Sequence, residues 1–387
     1  MSHQAETSLF ALLTQVAKHG APSFSKHKGS SSKVAVIGGS RMYTGAPYFA
    51  GISALKIGAD LSWVFCAEGA EIPIKSYSPE LMVLPALQTS VLGNDPEKER
   101  GQITLCTKTV VDWLPKASVA VFGPGLGRDH VMLSTVVNII KAARSQSLPI
   151  VLDADALQLI GQDPSLIKGY RNCILTPNAM EFRRLWESVM KSEPPPMDAD
   201  VGSLKQRITK TGSLAIDSIG NLTSHDKTQD KLFSSETSGW VEVSDKAVEH
   251  TAILARSLGG VTIIRKGAID IISDGRQGAF CGQRGSPRRC GGQGDLLCGA
   301  SAVFLSWQAG LLARDMKEAK SSAKEAVDES TRDSLGSTPV VAAFGACLVT
   351  RLSAELAFAK HGRSTLTTDL ISEVPSVMQV LFPLSSM

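Results

Sequence analysis

Short, nearly unbroken apolar runs alternate along this chain with longer stretches whose apolar residues recur at helical spacing. Lys33-Val34-Ala35-Val36-Ile37 reads as a strand ending in Gly38-Gly39. A helix-like run over residues 48–57 and a second strand, Leu61-Ser62-Trp63-Val64-Phe65, follow it. Further strands are expected at residues 119–122, 149–152, 173–175, 261–265 and 271–273, and helices at 130–145, 179–191, 245–258 and 296–305. Leu9, Leu12, Leu13 and Val16 add a short amphipathic helix near the N-terminus. Strands without polar alternation are buried on both faces, and strands separated by helices call for parallel crossovers. The pattern therefore predicts an α/β fold whose central, mostly parallel sheet is covered on both sides. Two polar intervals, at about 193–239 and 315–337, break the pattern and read as surface insertions in a single domain spanning residues 1–387.

Composition changes this picture little. A chain of 387 residues with 43% apolar content can bury a full core. The formal net charge is +3, and the basic residues are scattered with no run of five or more, which argues against nucleic-acid binding. No stretch approaches the roughly 18 consecutive apolar residues of a membrane span, so no membrane partner is expected. The seven cysteines form no CxxC pair, and Cys66, Cys106 and Cys347 sit in apolar runs, as reduced core thiols do. A reducing compartment follows, with the cytoplasm as the expected location and a mitochondrial isoform left open.

The candidate chemistry lies where strands end. Arg288-Arg289-Cys290-Gly291-Gly292-Gln293-Gly294-Asp295 sets an acid directly after a glycine-rich turn and at the head of an apolar helix. Such a turn lets successive N–H groups converge on one anion, and the helix N-terminus adds about half a positive charge. Asp295 there suits a base that takes a proton from a substrate hydroxyl during phosphoryl transfer; the plain alternative is a helix cap. Gly123-Pro124-Gly125-Leu126-Gly127 follows another strand, as a ligand-approaching loop or a tight turn. Asp153 and Asp155 end the strand over 149–152, where one could reach Mg²⁺ through water or Asp155 could cap a helix. Asn178 and Glu181 stand three apart at a helix start, which fits either water-mediated Mg²⁺ binding or a capping pair. Lys266-Gly267-Ala268-Ile269-Asp270 reads as a hairpin-like turn that can border a nucleotide. Gly38-Gly39 after the first strand lacks the G-x-G-x-x-G spacing, and no acid ends the second strand, so a dinucleotide oxidoreductase is disfavoured.

Together the strings His27-Lys28-Gly29, Tyr43-Thr44-Gly45-Ala46-Pro47, Gly123–Gly127, Thr176–Phe182, Lys266–Asp270 and Gly285–Gly299 resemble the ATP-dependent NAD(P)H-hydrate dehydratases, members of the ribokinase-like superfamily. The resemblance covers residues from about 25 to 305 and implies a three-layer α/β/α fold. It implies ATP-dependent dehydration of the S form of hydrated NADH and NADPH, a metabolite-repair reaction, with ATP as co-substrate and Mg²⁺ as cofactor. It further implies that Gly125 and Asn178-Ala179-Met180-Glu181-Phe182-Arg183-Arg184 contact the hydrated dinucleotide and that Asp295 touches it and acts as the base. Lys266-Gly267-Ala268-Ile269-Asp270 and Gly285-Ser286-Pro287-Arg288-Arg289-Cys290-Gly291-Gly292-Gln293-Gly294 would border ATP. A separate epimerase would act in the same pathway, and a homo-oligomer stays open. The competing readings are a ribokinase-like kinase of a small alcohol or vitamin precursor and a non-catalytic nucleotide sensor.

Overall fold

A computed structural model describes residues 9–90, 95–195, 238–321 and 339–384. Its strands are β1 (Lys33–Ile37), β2 (Leu61–Ala67), β3 (Met82–Leu87), β4 (Val119–Phe122), β5 (Ile150–Leu152), β6 (Cys173–Leu175), β7 (Ser238–Val241), β8 (Thr262–Arg265), β9 (Asp270–Ser273) and β10 (Gly278–Cys281). They form one sheet in the order β3-β2-β1-β4-β5-β6-β8-β9-β10-β7. Every pairing from β3 to β8 is parallel, whereas β8–β9, β9–β10 and β10–β7 are antiparallel. The expected mostly parallel sheet is present, extended by an antiparallel edge.

The period of two along each strand decides which side chain meets which layer. Val34, Val36, Val64, Val119 and Val121 pack against α1 (Leu9–Gly20), α2 (Gly45–Ile57), and three later helices, α9 (Gln293–Ser321), α10 (Val340–His361) and α11 (Thr367–Leu381). Ala35, Ile37, Phe65, Ala120 and Phe122 pack on the other side against α4 (Pro96–Val111), α5 (His130–Ser145), α6 (Asp155–Gln162), α7 (Ala179–Met190) and α8 (Lys246–Ser257). The short α3 (Glu71–Tyr77) joins the first layer through Ile74. The result is a three-layer α/β/α fold. Truncating a fully buried side chain such as Phe122 would cost about 3–5 kcal/mol.

Helix ends follow local chemistry. Asp129 caps α5 by accepting from the N–H groups of Val131 and Met132, and also fastens Ser90. Asp245 caps α8 through the Ala247 N–H. α10 is buried along most of its length, which is why it is mostly apolar with no amphipathic stripe.

Several elements depart from expectation. β3 contains Pro85, which cannot donate to a ladder, and the strand accordingly occupies the sheet edge. α9 runs past residue 305 to Ser321, into the second polar interval. The remainder of that interval, residues 322–337, and most of the first, residues 196–237, lie outside the described residues. All seven cysteines are free, and all but Cys290 are buried. Burial pushes the Cys66 thiol up to about 12, as expected of an inert core thiol.

Candidate active site

In the sheet order the chain steps from β1 outward to β2 and β3 on one side, and from β4 through β8 on the other. The crevice beyond the carboxyl ends of β1 and β4 is thus a topological switch point, where loops part and leave room for a ligand. A cavity of ≈ 660 Å³ opens there, lined by Ser40 and Arg41 after β1, Gly125 and Gly127 after β4, Asp155 after β5, and Asp295. A second cavity of ≈ 570 Å³ shares Arg128, Ala154 and Asp155 with it and extends to Glu181 and Arg184.

Asp295 lies in the first turn of α9, behind a turn that only glycine fits. Gly292 has φ +98°, and a Cβ there would stand 2.7 Å from the Phe49 ring. The Asp295 carboxylate accepts no hydrogen bond among the described residues, so it does not cap the helix. Burial pushes its carboxyl well above the ordinary aspartate range, the nearby Asp153 charge pushes it further, and Lys266 opposes both.

Asp153 is the buried charge of the site, 2% exposed. Its Oδ1 accepts from Lys266 Nζ at 2.9 Å and from Thr176 Oγ1 at 2.7 Å. Gly123 makes room for this segment, since a Cβ there would lie 1.7 Å from the Asp153 carbonyl oxygen. The next residue, Ala154, has φ +48° and ψ −122°, a conformation that costs an alanine about 1–3 kcal/mol. This bend parts two neighbouring acids. Asp153 turns to Lys266, while Asp155 Oδ2 accepts the Gly127 N–H at 2.8 Å instead of capping α6.

Asn178 and Glu181 form a reciprocal capping box at the start of α7. Asn178 Oδ1 accepts the Glu181 N–H at 2.9 Å, and Glu181 Oε2 accepts the Asn178 N–H at 2.8 Å. Glu181 Oε2 also stands 3.9 Å from Lys266 Nζ. Burial raises the Glu181 carboxyl, with Lys266 and the Asn178 N–H holding it down. Ala179, Met180 and Arg183 are exposed along the same turns, whereas Phe182 points into the core beneath the Arg265 guanidinium. Any contact of Phe182 with a ligand would therefore run through its backbone.

Lys266-Gly267-Ala268-Ile269-Asp270 joins antiparallel β8 and β9, as the hairpin reading expects. The segment over 285–294 is tied down by the Arg288 N–H on Ser286 Oγ, Gln293 Nε2 on the Arg288 carbonyl, and Thr367 Oγ1 on the Gly291 carbonyl. Sequence reasoning missed Arg351, which sits on α10 and binds the Lys266–Asp270 loop. No signal short of the fold could have linked it to a loop 81 positions away.

A family model described as NAD(P)H-hydrate dehydratase matches residues 34–215 and 197–376. The chain belongs to that family. Its relatives include the ATP-dependent (S)-NAD(P)H-hydrate dehydratases of Pongo abelii, 41% identical over 93% of this chain and 85% of that protein, and of Homo sapiens, 41% identical over 93% and 81%. Among solved structures, a ribokinase-like superfamily protein from Enterococcus faecalis superposes with a TM-score of 0.59 at 18% identity, covering 95% of this chain and 94% of that one. An ADP/ATP-dependent NAD(P)H-hydrate dehydratase from Bacillus subtilis, co-crystallised with ATP/Mg²⁺, superposes with a TM-score of 0.51 at 18% identity, covering 94% and 97%. At that identity these two likenesses establish the fold, which is ribokinase-like.

Proposed function

We propose that the protein dehydrates the S form of hydrated NADH and NADPH at the expense of ATP, restoring the dihydronicotinamide and releasing ADP and phosphate. The observation that carries the reading is Asp295, a half-buried carboxylate with a raised proton affinity facing a cavity of ≈ 660 Å³ at the mouth of a glycine-rich helix start. Membership of the dehydratase family supports the choice of substrate.

Hydroxide is a poor leaving group from the hydrated ring, and phosphorylation converts it into a good one. Asp295 accepts the hydroxyl proton as the oxygen takes the γ-phosphoryl group of ATP. A carboxylate with raised proton affinity is the better base for an alcohol near neutral pH. The N–H groups at the start of α9 meet the negative charge that builds on the transferring group. Phosphate then departs with help from the ring-nitrogen lone pair, and loss of a ring proton restores the reduced nicotinamide.

Mg²⁺ fits the site as an ion held mostly by its own waters and by nucleotide phosphates. Among the described residues no group of three or more His, Cys, Asp or Glu side chains could enclose a metal. Among the described residues Glu181 Oε1 and Asp153 Oδ2 accept no hydrogen bond and can hold metal-bound waters, whereas Asn178 Oδ1 is engaged by the α7 capping box. When bound, the ion would neutralise phosphate charge. The reading also assigns the R form of the substrate to a separate epimerase.

The test is absorbance at about 340 nm, where reduced nicotinamide absorbs, on mixing the protein with hydrated NADH, Mg²⁺ and ATP. Recovery that requires ATP and is matched by phosphate release is the expected outcome. ATP consumption with a small alcohol and no recovery from hydrated NADH would instead indicate a small-molecule kinase.

A further inference from the structure

The loop over residues 266–270 owes its shape to a residue on another layer. Arg351 lies in the middle of α10, a mostly apolar helix through the core that also buries Ser353 and Glu355, and is itself 7% exposed. Its Nε is 2.6 Å from Asp270 Oδ2. Nη1 donates to the carbonyls of Ala268 and Gln283 at 2.9 Å each, and Nη2 donates to the Gly267 carbonyl at 2.8 Å. Asp270 closes the loop from its far end, its Oδ1 accepting the Gly267 N–H at 3.1 Å. A buried guanidinium costs several kcal/mol unless paired and hydrogen-bonded, and this one is satisfied almost entirely by one short loop.

The orientation of those carbonyls has a consequence on the other side of the loop. In a trans peptide the C=O and N–H point in opposite directions. With the Gly267 and Ala268 carbonyls turned inward to Arg351, the N–H groups of Ala268 and Ile269 point away from it. Neither donates to any group among the described residues. Gly267 and Ala268 are also exposed. Ile269 itself is buried through its side chain, and consecutive unpaired N–H groups on such a turn form a small anion-binding concavity.

We propose that Arg351 is a positioning residue for ATP, holding the 267–269 backbone so that the Ala268 and Ile269 N–H groups receive a phosphate of the nucleotide. The inference rests on the reading above that this loop borders ATP, and it adds the residue that shapes the loop and the groups that make the contact.

The test measures ATP dissociation constants and steady-state parameters for Arg351→Lys, for the charge-balanced double variant Arg351→Met/Asp270→Asn, and for Ala268→Glu. Lysine keeps the charge but cannot span the three carbonyls, and the double variant removes both buried charges should the single change fail to fold. Both are expected to weaken ATP by roughly ten- to a hundredfold, the loss of charged hydrogen bonds. KM for the hydrated dinucleotide should stay within about twofold, a split that general destabilisation would not produce. Binding of adenosine, which has no phosphate, should be unchanged. Ala268→Glu sets a negative charge beside the N–H pair on an exposed position and should weaken ATP comparably. Weakening by Ala268→Glu but by neither Arg351 variant would overturn the role of Arg351 alone. An unchanged ATP affinity in all three would show that the loop does not border ATP, and the reading and the inference would fall together.

Discussion

Lys266 Nζ stands 2.9 Å from Asp153 Oδ1 although the two residues are 113 positions apart in the chain. One follows β8 and the other follows β5, with β6 between the two strands. The pair spans the carboxyl edge of the sheet beside the start of α9, and a Cβ on Gly294 would lie 3.3 Å from the ammonium. Burial alone would lower the proton affinity of Lys266, but Asp153 and Glu181 outweigh it and raise it, so the lysine is charged.

That coupling makes the pair sensitive to one-sided removal. Lys266→Met leaves Asp153, whose side chain is 3% exposed, with Thr176 as its one side-chain partner among the described residues. An uncompensated buried charge of this kind costs about 3–5 kcal/mol. The expected result in urea unfolding is a midpoint well below that of the parent protein. Lys266→Met/Asp153→Asn should recover most of the loss, and a double variant no more stable than the single one would count against an energetic coupling between the two.

Asp295 is predicted to be a site where function is opposed to stability. Its carboxyl has a higher proton affinity folded than unfolded, so the folded state binds more protons and stability falls as pH rises through that window. Above that window the charged form is therefore a burden that Asp295→Asn removes at nearly constant shape. We expect the variant to lose about 10²–10⁴-fold in kcat and to melt ~2 °C or more higher. Calorimetry beside the 340 nm assay tests both, and an active variant would remove Asp295 from the role of base.

The same shift sets the pH profile. A base works only when ionised, so kcat/KM should fall toward acid with a limb well above the range of an ordinary aspartate. Glu181 and Asp155 are also raised, chiefly by burial, and the observed limb belongs to the coupled group rather than to one residue. In Glu181→Gln the limb should persist, because burial, Asp153 and Lys266 set the proton affinity of Asp295. A limb lying in the ordinary carboxylate range would contradict a base of raised proton affinity.

Much of this was legible along the chain. Apolar runs such as Val119–Phe122 could only be strands covered on both faces, and their alternation with helices required parallel crossovers. Asn178 and Glu181 announced a helix start by spacing alone, and the capping box is there. What stayed hidden depends on the third dimension. Pro85 disguised β3, and α10 carries no amphipathic period because every face is buried. The strained φ of Ala154 has no sequence signature, and neither do the long-range pairs Lys266–Asp153 and Arg351–Asp270. Each arises from closure of the sheet, which no local pattern encodes.

The two readings of Asn178 and Glu181, cap or ion-holding pair, separate under substitution. Asn178→Ala removes the acceptor for the Glu181 N–H and should cost about 1 kcal/mol of stability, as loss of an N-cap does. Glu181→Gln keeps an oxygen for the Asn178 N–H and completes a capping box just as well, so its stability should change by less than about 0.5 kcal/mol. Its charge is gone, however, and a neutral amide holds the waters of a divalent cation poorly. The Mg²⁺ concentration needed for half-maximal rate should therefore rise in Glu181→Gln and stay near the parent value in Asn178→Ala. Magnesium titrations of the two variants, with unfolding curves on the same preparations, check this. An unchanged Mg²⁺ requirement in Glu181→Gln would leave Glu181 as a cap and a partner of Lys266, and would move the ion to other groups.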